Sequence, residues 1–151
     1  MNLQEIYRLW SEQATLDSDV AQELIQIANE PAQIEDRFYR ELEFGTGGLR
    51  GVIGAGTNRM NVYTVAKATQ GYSDYLNVTF QSPKVAIAYD SRIKSDRFAQ
   101  AAAEVFAGNG IDVWMYPQIM PTPSLSFAVR SLGCSGGIVI TTPSPLPDGS
   151  V

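Results

Sequence analysis

The chain has 151 residues, 44% hydrophobic and 18% charged, which is the composition of an ordinary globular domain with room for an appended element. It has no histidine, a single cysteine and a net charge of −5. These features exclude zinc ligation, Ser-His-Asp chemistry and an intrachain disulfide, and without a basic stripe they argue against non-specific nucleic-acid binding. No apolar run reaches membrane-spanning length and the N-terminus lacks a signal-peptide pattern, so the expectation is a cytoplasmic, reducing location with no membrane partner.

The first forty residues predict helices. Leu3, Ile6, Tyr7 and Trp10 share one helical face, and Asp17 or Ser18 then offers a cap for a second helix bearing Val20, Leu24 and Ile27. Pro31 stops that helix, and a third from about Ala32 to Leu42 puts Ile34, Phe38 and Leu42 on one side. Residues 1–43 thus read as a helical extension whose stripes serve packing, ahead of a domain covering 44–151. Within that domain, Leu49 to Ile53 predicts a strand and Asn61 to about Asn77 a helix with Val62, Val65, Ala66, Thr69 and Tyr72 inward. Lys84–Tyr89 is short and apolar, as a strand buried on both faces would be. An alanine-rich helix from Asp96 to Asn109 ends at Gly110. A strand at Ile111–Tyr116, a helix at about Ser124–Leu132 and a last strand at Gly136–Thr141 follow. This alternation predicts an α/β fold: three layers, with a mixed, mostly parallel four-stranded sheet between helices.

Chemistry concentrates in Phe44-Gly45-Thr46-Gly47-Gly48-Leu49-Arg50-Gly51. Glycines permit close backbone approach, and successive exposed N–H groups with the Arg50 guanidinium would hold a phosphate or carboxylate. The alternative is a surface turn with a solvated arginine. Neither the dinucleotide fingerprint nor G-x-x-x-x-G-K-[ST] occurs, which argues against a nucleotide cofactor. Ligands of parallel sheets gather beyond the carboxyl ends of the strands. Asp90-Ser91-Arg92 and Thr141-Thr142-Pro143-Ser144 fall there. Asp90 and Arg92 would orient a ligand, or pair with each other, or cap the next helix. Any metal would be a hard cation held by oxygen.

In order, these segments resemble the α-D-phosphohexomutase family, which includes phosphoglucomutases and phosphomannomutases. The match runs from about Arg37 to Thr142. It is carried by the Phe44–Gly51 loop, Val52-Ile53-Gly54-Ala55-Gly56-Thr57-Asn58-Arg59-Met60-Asn61, Ala88-Tyr89-Asp90-Ser91-Arg92 with Ser95, Pro121–Arg130 and Gly137–Thr141. The resemblance implies the first domain of a four-domain enzyme that interconverts hexose (or pentose) 1-phosphate and 6-(5-)phosphate. In that family a phosphoserine passes its phosphoryl group to the sugar through a bisphosphate such as glucose 1,6-bisphosphate, with Mg²⁺ bound. By this resemblance Ser144 carries the phosphoryl group and, through it, contacts the metal. Arg50 stabilises the phosphoserine region, Thr46, Gly47, Gly48 and Thr142 bind phosphate, and Asp90 and Arg92 stand near the site as structural residues. The other domains, and with them the remaining metal ligands and sugar selectivity, are absent from the chain, which implies inactivity alone and exposed surface open to self-association.

The chain departs from the family at its end. Where the family reads Thr-Ala-Ser-His-Asn-Pro, this sequence has Thr142-Pro143-Ser144-Pro145-Leu146-Pro147, and a competing register puts Pro143 at the serine position. Prolines fix φ and remove amide donors, which impairs a phosphate cradle. Two readings of that end stay open: a truncated, frame-shifted or artificial tail, and a non-catalytic phosphosugar-binding or interaction module that has lost its phosphoserine loop.

Overall fold

The computed structural model describes residues 1–142; residues 143–151, Ser144 among them, lie outside the described residues. Two compact units divide between Thr64 and Val65.

In the first unit, α1 (Leu3–Gln13), α2 (Ser18–Gln26) and α3 (Pro31–Phe38) precede a short hairpin of β1 (Phe44–Gly45) and β2 (Gly48–Leu49). Each helix starts where local chemistry satisfies or removes open amides. Asn2 and Glu5 form a reciprocal capping box on α1. The Asp17 side chain accepts from the Asp19 and Val20 amides on α2, and Pro31 occupies the first turn of α3. Val20, Leu24, Ile27, Ile34 and Phe38 bury together with Ala14 and Ala55, and Leu3, Ile6, Tyr7, Trp10 and Tyr63 pack around them. The Trp10 ring meets Phe38 and Tyr63 edge-on at 5.6 and 5.5 Å. The third helix ends at Phe38, short of the Leu42 the apolar spacing predicts, because the Leu42 amide donates instead to the Thr57 carbonyl, 3.0 Å away. Residues 1–64 carry ten acidic and five basic side chains, so the net charge of the whole chain resides there.

The fourth helix, α4 (Val62–Thr79), contains the division. Beyond it, β3 (Lys84–Tyr89), α5 (Ser95–Gly108), β4 (Asp112–Met115), α6 (Pro123–Leu132) and β5 (Gly136–Ile140) build the second unit. Its sheet runs β4-β3-β5, parallel throughout. Adjacent residues of a strand point to opposite faces, and two neighbouring glycines show what covers each. A Cβ on Gly136 would strike the Tyr72 hydroxyl of α4, whereas one on Gly137 would meet Val129 and Leu125 of α6 at 2.9 and 3.0 Å. Tyr72 in turn contacts Phe106 of α5 edge-on. Helices α4 and α5 therefore lie on one face and α6 on the other, giving three layers. Val85, Ala86, Ile87 and Ala88 are buried between them, as expected for a central strand covered on both sides.

The sheet holds three parallel strands among the described residues, where the sequence predicts four in a mixed arrangement. In place of the predicted strand at 49–53 stand the two-residue β2 and an isolated bridge between Ile53 and Met60. The physical reason is glycine. Gly51 interrupts the segment and adds no side chain to a sheet face, and just beyond it Gly56 sits at φ +125°, outside the extended conformation of a regular strand.

Strand β3 is central. The chain leaves it through α5 to reach β4 on one side, then through α6 to reach β5 on the other. Parallel sheets bind ligands beyond the carboxyl ends of their strands, which places Asp90, at the end of β3, and Thr141 and Thr142, at the end of β5, on the edge where a ligand would be sought.

Candidate functional site

Two clusters carry the predicted site residues, one in each unit. In the first, Thr46 and Gly47 form the exposed tip of the β1–β2 hairpin. Gly48 follows at φ +119°, a conformation that turns the strand back at no steric cost to glycine. Arg50 is exposed and its guanidinium lies against the tip: a Cβ on Gly47 would sit 3.0 Å from Nη2. The structure thus brings Arg50 and Gly47 together.

The neighbouring arginines of this acidic unit are engaged. Arg37 Nη1 lies 2.8 Å from Glu23 Oε1, Arg59 pairs with Asp36, and Arg40 donates to Asn58 Oδ1 while lying over the Tyr39 ring. Arg50 has no hydrogen bond or ion pair among the described residues. An exposed guanidinium seated on a glycine turn has its planar donors available to an oxyanion.

The segment that follows this loop is held by contacts that the sequence expectations do not include. Residues 54–56 are buried, and the Ala55 amide donates to Glu23 Oε2 at 2.5 Å while its carbonyl accepts from Arg37 Nη1 at 3.3 Å. Asn61, 1% exposed, donates to the Gly54 and Gly56 carbonyls, and its Oδ1 accepts from the Tyr63 and Thr64 amides. The only sequence signal is the glycine-rich run itself. Nothing in spacing links it to Glu23 on α2.

In the second unit, the carboxyl ends of β3 and β5 are tied by side chains. Asp90 Oδ1 accepts from the Ser95 hydroxyl at 2.9 Å and the Arg92 amide at 3.0 Å, while its Oδ2 accepts from Thr141 Oγ1 and lies 3.3 Å from Arg92 Nε. Arg92 Nη1 reaches across to donate to the Thr142 carbonyl at 3.0 Å. The Thr142 hydroxyl, buried, donates to the Ile93 carbonyl at 2.7 Å and lies 3.4 Å from Ser95 Oγ. The structure therefore brings Asp90, Arg92 and Thr142 together with Ser95 and Thr141. Burial alone would push the Asp90 carboxyl up, but the hydrogen bonds from Thr141, the Arg92 amide and Ser95, with the Arg92 charge, outweigh it and hold the carboxyl below its usual range. Helix α5 starts at this knot, after Lys94 turns the chain at φ +62°. Ser144, the expected phosphoryl carrier and metal contact, lies outside the described residues.

Among the described residues no group of three or more His, Cys, Asp or Glu side chains could hold a metal ion, and no helix is long and apolar enough to cross a membrane.

Residues 41–148 match the family model described as phosphoglucomutase/phosphomannomutase, alpha/beta/alpha domain I. The chain is 42% identical over 135 residues to a phosphoglucomutase of Staphylococcus aureus strain COL, covering 88% of this chain and 24% of that protein. It is 43% identical over 106 residues to the phosphoglucomutase of the bovine strain of the same species, covering 70% of this chain and 19% of that one. It spans about a quarter of the length of the curated relatives it matches. No solved structure matches it. The ordered glycine loop, the Asp90–Thr142 knot and the matched span agree, and the chain belongs to the phosphoglucomutase/phosphomannomutase family through its first, α/β/α domain.

Proposed function

We propose that this chain supplies the N-terminal part of a cytoplasmic phosphosugar mutase, with residues 1–43 as a helical extension and 44–151 as the first domain. The complete protein would interconvert hexose (or pentose) 1-phosphate and 6-(5-)phosphate through a phosphoserine and a bisphosphate intermediate. In this reading Ser144 is the phosphoryl carrier. When the sugar hydroxyl attacks, the Ser144 Oγ–P bond breaks as the new O–P bond forms, and charge builds on the phosphoryl oxygens. Arg50 neutralises that charge. The amides of Thr46, Gly47 and Gly48 position the phosphate, Thr142 opens the loop that binds it, and Asp90 and Arg92 fix where that loop starts. Mg²⁺ belongs to the complete protein. The described residues do not provide a set of ligands for it.

One observation carries the reading: an exposed arginine without an ion pair among the described residues, seated on a glycine hairpin, in a chain of this family. Titration of glucose 1,6-bisphosphate onto the chain tests it. Saturable binding is expected, and Arg50→Ala should weaken it by about tenfold, in keeping with loss of a charge-assisted contact. Absence of binding, or indifference to Arg50→Ala, overturns the assignment of Arg50.

The prolines at 143 and 145 favour a second reading, a phosphosugar-binding module without phosphoryl transfer. Intact-mass measurement after incubation with the bisphosphate separates the two. A stable added phosphate on Ser144 supports the carrier, and Arg50-dependent binding without that phosphate supports the module.

A further inference from the structure

The ion pair that holds Ala55, five residues beyond Arg50, has a geometry that a plain surface salt bridge lacks. Glu23 of α2 and Arg37 of α3 bind each other at 2.8 Å and grip both polar groups of a single residue: Glu23 Oε2 takes the Ala55 amide, and Arg37 Nη1 gives to the Ala55 carbonyl. Ala55 is fully buried, at 0% exposure, in the core of the three helices. From there a short, tight path leads back to Arg50. The Gly54 amide donates to the Met60 carbonyl and the Met60 amide to the Val52 carbonyl, at 3.1 and 2.7 Å. Gly51 is wedged so closely that a Cβ would lie 2.7 Å from Leu42 Cδ2 and 3.5 Å from Met60 Cγ. Gly56 is held as firmly, since a Cβ there would meet the Arg37 carbonyl oxygen at 2.5 Å. A buried residue gripped at both its polar groups cannot shift without breaking a partly buried ion pair, and so the segment that bears Arg50 inherits a fixed anchor.

We propose that Glu23 and Arg37 are positioning residues for Arg50: the helical extension is the clamp that presets the guanidinium for an oxyanion. The proposal rests on the reading of Arg50 as a phosphate ligand.

Two measurements on the 151-residue chain decide it. Site-resolved hydrogen exchange in Glu23→Ala should show the Gly54 and Met60 amides exchanging about tenfold faster, with β3 and β5 amides unchanged as the control for folding. Calorimetric titration with inorganic phosphate and with glucose 1,6-bisphosphate should show affinity about fivefold weaker in Glu23→Ala, and no such loss when the substitution is made in an Arg50→Lys background. Glu23→Gln, which keeps the side-chain shape, should move both readouts in the same direction and serves if Glu23→Ala does not fold. Unchanged exchange at Gly54 and Met60 overturns the clamp. Faster exchange with unchanged affinity, or an equal affinity loss in both backgrounds, overturns the positioning role, because a purely structural residue would act independently of Arg50. A wild-type chain that binds neither probe instead overturns the phosphate reading, and this proposal with it, a result distinct from the other two.

Discussion

The carboxylate of Asp90 accepts from Ser95, Thr141 and the Arg92 amide while facing the Arg92 guanidinium, so Asp90→Asn removes charge from several donors at once. The expected cost at neutral pH is about 2 kcal/mol, typical of hydrogen bonds to an ionised group. Its pH dependence follows from the depressed titration of the folded carboxyl. The unfolded chain takes up the proton first as pH falls, so the contribution of Asp90 is complete above about pH 4 and disappears as pH drops through the lower folded value. Urea melts of the wild type and Asp90→Asn should therefore converge in acid, and a gap that persists or widens there contradicts the assignment. At this scale the sequence shows which residues bear chemistry but not what engages them. Arg50 among glycines is conspicuous, whereas its lack of an ion pair among the described residues depends on where Glu23, Asp36 and Asn58 spend their oxygens. Those partners come from positions 14 to 23 residues away from the arginines they bind, and no spacing rule reports such pairings.

The elements with strong periodicity were legible: β3, α5, α6 and the three N-terminal helices fall within a few residues of the positions their apolar spacing and caps predict. The strand predicted at 49–53 was not, because a run of glycines takes its conformation from distant groups such as Leu42, Thr57 and Glu23 rather than from its own side chains. Strand β5 offers an element-scale test. Gly137→Ala sets a methyl 2.9 Å from both the Ala86 carbonyl oxygen and Val129, and backbone on one side with a packed helix on the other leaves it little room. Gly136→Ala meets only the tip of the Tyr72 side chain, which can swing. Overpacking should cost about 1–3 kcal/mol at Gly137 and less at Gly136. Denaturant unfolding that ranks them the other way would show that α6 is not what closes that face.

For the molecule as a whole, composition and the alternation of elements made the α/β class legible, while the division inside α4 was not, since that helix reads as one uninterrupted pattern. A chain spanning a quarter of its relatives should lack turnover: no conversion of glucose 1-phosphate to glucose 6-phosphate is expected in a coupled dehydrogenase assay, and sustained conversion would overturn the proposal that further domains are needed. The ten acidic against five basic side chains of residues 1–64 bear on which ligands can approach at all. At distances beyond about 10 Å, mobile ions damp that field at ordinary salt, and in dilute buffer it repels every polyanion alike. On the proposed reading, a compact phosphate ester in direct touch with the Arg50 guanidinium would gain a short-range attraction that the surrounding excess of carboxylates denies to a long polyanion, so binding of such an ester should depend less on salt than any binding of nucleic acid.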